Sequence, residues 1–320
     1  LPAVRGGLKA LVILVAAALL APAVSAAAVP LGGTIVYPVT TLDGEEYVGG
    51  LKIDRGAAPT GPSTWLTRDV AQEEPSISPD GRKIAFVYDD PNLASTGPSG
   101  IAVMDSSGGA ATSLTDGRYD RGPTFSPDGG LLAFSREGSI YLIGSDGSGL
   151  RQLTDDPKRA DKAPAFVADG TEVVFTRVYL EGGHQTKGLY SVPVGGGPIR
   201  KFLDGSAPEA EATFSANGRR MAYVAGGALM LARANGTHPR RLNGTFRSFS
   251  ESHAAQAPVF SPDSRYLAFL AYSVDPGSFE QRLAVLQISG KPRLLGTIAR
   301  GAGGVESGTG LGVPAWGPEP

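Results

Sequence analysis

The chain has 320 residues, with 45 Gly, 25 Pro and no Cys, and its 29 basic and 31 acidic residues leave a net charge of −2. That balance is no nucleic-acid footprint. The missing cysteine excludes disulfides and a lipid-modified N-terminal cysteine, and the Gly and Pro content suits a turn-dense, all-β protein.

Residues 1–28 read as a secretory signal. Arg5 and Lys9 precede an apolar run over 11–20, and Val24-Ser-Ala26 offers small residues for cleavage, so the mature chain is expected to begin near Ala27. A single Arg argues against twin-arginine export. An uncleaved anchor is the alternative, because the apolar stretch approaches membrane-spanning length. Residues 29–320 are expected to form one domain.

From there the chain repeats itself. The segment from Gly32 to Tyr37 reads as a strand without a partner before it. Pro75-Ser-Ile-Ser-Pro-Asp-Gly81 is the first full copy of a short phrase, and Pro123-Thr-Phe-Ser-Pro-Asp-Gly129 is the second. Pro164-Ala-Phe-Val-Ala-Asp-Gly170, Ala212-Thr-Phe-Ser-Ala-Asn-Gly218 and Pro258-Val-Phe-Ser-Pro-Asp-Ser264 follow, and Pro314-Ala-Trp-Gly-Pro-Glu-Pro320 is the last. Repeats of roughly 40–50 residues mark solenoids and propellers.

Each copy reads as a hairpin. Pro at the second turn position suits a type I turn, and Gly follows where the backbone takes positive φ. The next strand alternates with a period of two, as in Ile84-Ala-Phe86 and Leu132-Ala-Phe134. A third apolar run such as Ile140-Tyr-Leu-Ile143 leads to an Asp-Gly or Asn-Gly turn, and a short run such as Leu150-Arg-Gln-Leu-Thr154 closes the unit. Four antiparallel strands per repeat make one propeller blade. The N-terminal strand lacks a first strand, and Pro314-Ala-Trp316 lacks a second. Together they predict one blade shared by the two terminal segments, which removes the open edges of a linear array. The expected fold is all-β, a single six-bladed β-propeller.

These residues resemble the repeat of the TolB-type, WD40-like bacterial β-propellers, whose phrase Pro-x-Trp-Ser-Pro-Asp-Gly is followed by Ile-Ala-Phe, Ile-Tyr, Asp-Gly and Leu-Thr. Pro123 to Thr154 follows it almost throughout. The resemblance implies the ring over about 32–320. It leaves function open, since such rings serve as scaffolds, sensors, enzyme accessory domains and lyases.

Two faces of such a ring differ. The Ser-Pro-Asp-Gly and Asp-Gly turns share one face and are short. Segments 89–100, 177–188, 243–257, 271–281 and 298–312 share the other and vary, as binding loops on a rigid scaffold do. Residues just before each inner strand are expected to ring a central funnel on that face: Glu74, Asp120, Arg121, Asp161, Lys162, Glu211 and Gln256. These are the candidate ligand-binding residues. No cofactor is expected, although several carboxylates could hold a hard divalent cation, and no metal ligand is assigned. No Gly-x-Ser-x-Gly elbow occurs.

The expected protein is therefore an exported, non-enzymatic binding or scaffold protein of the cell envelope or exterior. It is expected to be a monomer that holds a protein, peptide or glycan at the funnel, with no nucleic acid and no membrane contact after signal cleavage. The alternative is a metal-dependent polysaccharide lyase or hydrolase, for which His184, His253 and Gln256 would have to converge on one point.

Overall fold

In a computed structural model, the recurring phrase folds as a strand and a tight turn held by its own polar atoms. The Ser78 hydroxyl donates to the Asp80 carboxylate at 2.6 Å and accepts from the Lys83 N–H at 2.9 Å. Ser126 with Asp128, Ser215 with Asn217 and Ser261 with Asp263 do the same. Gly81, Gly129, Gly170 and Gly218 all sit at φ between 68° and 75°, where a side chain is costly. The Ser hydroxyls, then the backbone amides beyond the turn, hold the Asp80 and Asp128 carboxyls below the usual range. Described residues are 32–43, 46–55, 64–67, 72–88, 99–116, 119–205, 207–242, 254–275, 278–302, 309–311 and 314–320. The expected signal at 1–28 lies outside them, as does His253.

Among the described residues every regular element is a strand. Five sheets are four-stranded and strictly antiparallel in chain order. The first runs Gln72–Ile77, Lys83–Tyr88, Gly100–Asp105 and Thr112–Ser113. The second runs Arg121–Phe125, Leu131–Arg136, Ser139–Gly144 and Arg151–Gln152. The third and fourth begin with Ala160–Phe166 and Glu209–Phe214, and the fifth with Ala254–Phe260.

Five regular blades are thus present where six were expected. The remaining sheet is irregular and five-stranded: Thr34–Asp43 is central, Glu46–Arg55 and Thr64–Trp65 lie to one side, and Thr309–Leu311 and Ala315–Gly317 both pair with its other edge. Ile35 stands opposite Trp316, so segments from both ends of the sequence meet in one sheet.

The core is a set of face-to-face seams between consecutive sheets. Ala85, Val87 and Val103 of the first sheet pack with Phe125, Leu132 and Phe134 of the second. Val174 and Leu189 of the third meet Met221 and Tyr223 of the fourth. The irregular sheet is sandwiched too. Ile35, Tyr37 and Trp316 pack on Leu270 and Val285 of the fifth sheet, while Val36 packs on Ile84 and Phe86 of the first. Trp316 is 9% exposed, stacks on Tyr266 at 6.4 Å, and donates its indole N–H to the Gly32 carbonyl at 3.1 Å.

Every regular first strand also carries a bulge. The register slips by one residue between Glu73 and Ser76, Arg121 and Thr124, Lys162 and Ala165, Ala210 and Thr213, and Gln256 and Val259. The residue before each Pro, or before Ala212, takes a left-handed conformation: Glu74, Gly122, Ala163, Glu211 and Ala257 have φ of 48–61°. A Pro inside a strand has no N–H for the ladder and is found at such bulges.

Truncating Trp316 to Ala should remove the aromatic that joins the two ends. We expect a loss of about 3–5 kcal/mol, the usual cost of deleting a buried aromatic, read as a lowered urea midpoint. A midpoint equal to the parent's would show that the terminal pairing contributes nothing.

Candidate functional site

The first strands of the five regular sheets, joined by 314–318, line one central cavity of about 970 Å³. Its walls are open because the second residue of each phrase faces inward and is small: Ser76, Thr124, Ala165, Thr213, Val259 and Ala315. At the end where the first strands begin, Glu74, Arg121, Lys162, Lys187 and Glu211 line it. That places four of the seven expected site residues on one cavity. Gln256 is exposed one residue before the Ala257 that lines it.

Asp120 and Asp161 are elsewhere, and this corrects the expectation that they ring the funnel. They are 0% and 2% exposed. Asp120 accepts two hydrogen bonds from Arg136, at 2.6 and 2.8 Å, and a third from the Thr115 hydroxyl at 2.5 Å. Asp161 is held by Arg177 at 2.6 and 2.7 Å. Each guanidinium also lies over two rings, Phe134 and Tyr141 or Phe175 and Tyr190, at 5.3–5.4 Å. These are buried, two-pronged ion pairs capped by cation–π contacts. They fasten the first strand of a sheet to its second and leave no carboxylate oxygen for a ligand.

The same position in the fourth sheet holds Glu209 opposite Ala225, so its arginine is missing. Glu209 is 3% exposed. Burial pushes its carboxyl above the usual range, against the pull of Lys201 and the Gly205 and Leu189 backbone; Asp204 adds to the rise. Burial, then the Glu209 charge, raises the Tyr223 phenol in turn.

Glu74 and Glu211 do face the cavity, but each is already committed. The Glu74 carboxylate accepts from the Gly122 N–H of the next sheet at 2.6 Å, and Glu211 accepts from the Ala257 N–H at 2.7 Å. Burial pushes the Glu74 carboxyl up, and the charges of Glu73 and Glu211 add to this; the Gly122 amide and Arg121 oppose it. Arg121 reaches Glu73 at 3.4 Å while staying 40% exposed. Lys162 is exposed. The cavity end is therefore mixed in charge, with its cations freer than its carboxylates.

Among the described residues no three His, Cys, Asp or Glu side chains stand close enough to hold a metal ion. His184 is exposed at the far end of the long hairpin formed by Glu172–Glu181 and His184–Pro193. Sequence reasoning missed Lys187, Arg136 and Arg177. Lys187 lines the cavity from that same hairpin, and the signal for it was its place in the variable segment 177–188.

Two substitutions check these assignments. Arg177→Met should cost about 3–5 kcal/mol, because it leaves the Asp161 charge buried and unpaired; adding Asp161→Leu should recover most of that, and no recovery would refute the pairing. Glu209→Gln reads the raised carboxyl. Below the ordinary glutamate range both folded and unfolded states hold the proton, so burial costs nothing. As pH rises through the raised folded value, the parent loses stability that the variant keeps. The variant-minus-parent difference in urea midpoint should therefore grow from pH 4 to pH 8, and a constant difference would refute it.

No family model matches the chain. It is 32% identical over 124 residues to the uncharacterized peptidase YuxL of Bacillus subtilis, a match covering 37% of this chain and 19% of that protein, so the chain spans about a fifth of that relative's length. Among solved structures it is similar to TolB from Acinetobacter baumannii, with a TM-score of 0.61 and 20% identity over 90% of this chain and 67% of that one. A structure assigned to TolB from Agrobacterium tumefaciens gives 0.60 and 16%, over 89% and 99%. An oligogalacturonate lyase in complex with manganese gives 0.52 and 16%, over 83% and 74%. At such identities the likeness speaks for the fold: the chain is an all-β propeller of the kind found in TolB proteins and related β-propellers.

Proposed function

We propose that this chain is an extracytoplasmic binding protein, a closed six-bladed ring that holds a segment of a protein or peptide partner in its central channel. One observation carries the reading. The cavity of about 970 Å³ runs between small inward-facing residues and is crowned by Arg121, Lys162, Lys187, Glu74 and Glu211. A cavity of that size is in the range of binding sites. A wall of Ser, Thr, Ala and Val admits an extended chain, and a mixed-charge crown can steer and register it.

The register of the irregular sheet supports counting it as the sixth blade. Leu311 faces Val39 while Ala315 faces Val36, the same one-residue slip found in every regular first strand. The extracytoplasmic placement rests on the signal-like sequence of residues 1–28 and on the likeness to TolB proteins. Among the described residues no helix is long and apolar enough to cross a membrane.

The test uses a plug. Thr213→Trp places a large ring in the channel wall, away from the charged crown. Immobilised parent protein should capture a partner from native envelope extract or culture fluid, and the plug should weaken that capture by tenfold or more, about 1.4 kcal/mol, at a near-parental melting temperature. Equal capture by parent and plug would move the binding surface off the channel.

A further inference from the structure

The bulges do more than bend strands. In three of the five, the left-handed residue donates its backbone N–H to a side chain of the preceding sheet, and Ala163 holds the same backbone conformation, with φ of 49°. In two seams the acceptor is a carboxylate supplied by the preceding bulge itself: Glu74 takes the Gly122 N–H at 2.6 Å, and Glu211 takes the Ala257 N–H at 2.7 Å. In the seam between the third and fourth sheets the preceding bulge residue is Ala163, which has no carboxylate. There the Thr176 hydroxyl accepts the Glu211 N–H at 3.0 Å instead.

The seam between the second and third sheets has neither device. The bulge residue before Ala163 is Gly122, with no side chain. The residue equivalent to Thr176 is Ser135, and its hydroxyl donates to the Arg121 carbonyl at 3.3 Å. Among the described residues no side chain accepts the Ala163 N–H. The space beside it is real. A Cβ built on Gly122 would lie 3.8 Å from the Ala163 Cα and 3.7 Å from Pro164, ordinary contact distances, with nothing closer. Gly122, Ala163 and Ser135 all line the channel, and so do the two residues flanking the seam, Arg121 and Lys162.

We infer that this seam is a carboxylate seat for the channel's ligand. A ligand carboxylate accepts the Ala163 N–H, as Glu74 and Glu211 accept theirs in the neighbouring seams, and the Arg121 and Lys162 side chains supply the countercharge. Lys187 adds a third cation to the channel, whereas Glu73 already engages Arg121 and Glu74 is held on the Gly122 N–H. Glu211 is turned to the Ala257 N–H. The class of ligand is therefore a carboxylate, from a chain terminus or from an Asp or Glu side chain. The inference rests on the channel being the binding site and adds what is recognised there.

The probes are propionate, standing for a side chain, and N-acetylglycine, standing for a chain terminus, titrated into full-length protein labelled with ¹⁵N-alanine. Ala163→Ser assigns the amide. Its resonance should move downfield and saturate, and the tighter probe names the source. Gly122→Glu should fill the seat from within. The Ala163 amide should then start downfield and stop responding, since glutamate already occupies the same backbone conformation at 74 and 211. Arg121→Gln with Lys162→Gln, both at the exposed channel end, should weaken either probe at least tenfold and covers the case in which Gly122→Glu does not fold. An Ala163 amide that ignores both probes overturns the seat, as does unchanged affinity in the double variant. Probe binding without an effect of the Thr213→Trp plug on capture would instead sink the functional reading and leave the seat standing. A plug that abolishes capture, beside a silent Ala163 amide, would do the reverse.

Discussion

A strand-built blade has two apolar faces, and neither can be left to water. In this chain each sheet buries one face on the sheet before it and the other on the sheet after it, so the structure depends on the first and last sheets finding each other. The pairing of Ile35 with Trp316 does this. It places Val36 on Phe86 of the first sheet and Trp316 against Leu270 of the fifth. Burying a side chain of this size is worth about 1.5–3 kcal/mol, but the consequence is larger than one residue. Without it two sheet faces and two strand edges open together. Cysteine-free and turn-rich, the chain has this closure in place of covalent staples.

The second constraint is the bulge, and it explains why a strand pattern that was legible led to a site that was only partly so. The period of two in Ile84-Ala-Phe86 and its repeats marks the second strands correctly, because those strands are regular. Ser-Pro-Asp-Gly marks the turns, because its hydroxyl, carboxylate and glycine each have one job there. Counting backwards along the first strand fails. From the inward-facing Thr124, four residues back is Asp120, which a regular strand would also turn inward. The extra residue at Gly122 inverts the alternation, and Asp120 goes into the sheet to meet Arg136. The same slip sends Asp161 to Arg177. Pro123 and Pro164 carried the warning, since Pro in mid-strand announces a bulge. Arg136 and Arg177 gave no such sign, because a strand-end arginine ordinarily reads as surface.

The three ways of filling one backbone position show how repeats that share a fold diverge toward function. The left-handed conformation costs of order 1–3 kcal/mol at a non-glycine residue, and four of the five bulges accept that cost with Glu74, Ala163, Glu211 and Ala257. Two seams offset it with a charge-assisted hydrogen bond from an amide to a carboxylate. One uses a hydroxyl. In the seam after Gly122 the glycine removes the strain at its own position and, by lacking a side chain, withholds an acceptor from Ala163. A ring selected for rigidity alone has no use for that omission, since a glutamate there would serve the fold as it does at 74 and 211. Arg121 and Lys162 stand on the two first strands that meet at this seam, so countercharge lies where the internal carboxylate is missing. The blade repeat sets the geometry of each position, and the departures from the repeat decide which position is left for a ligand.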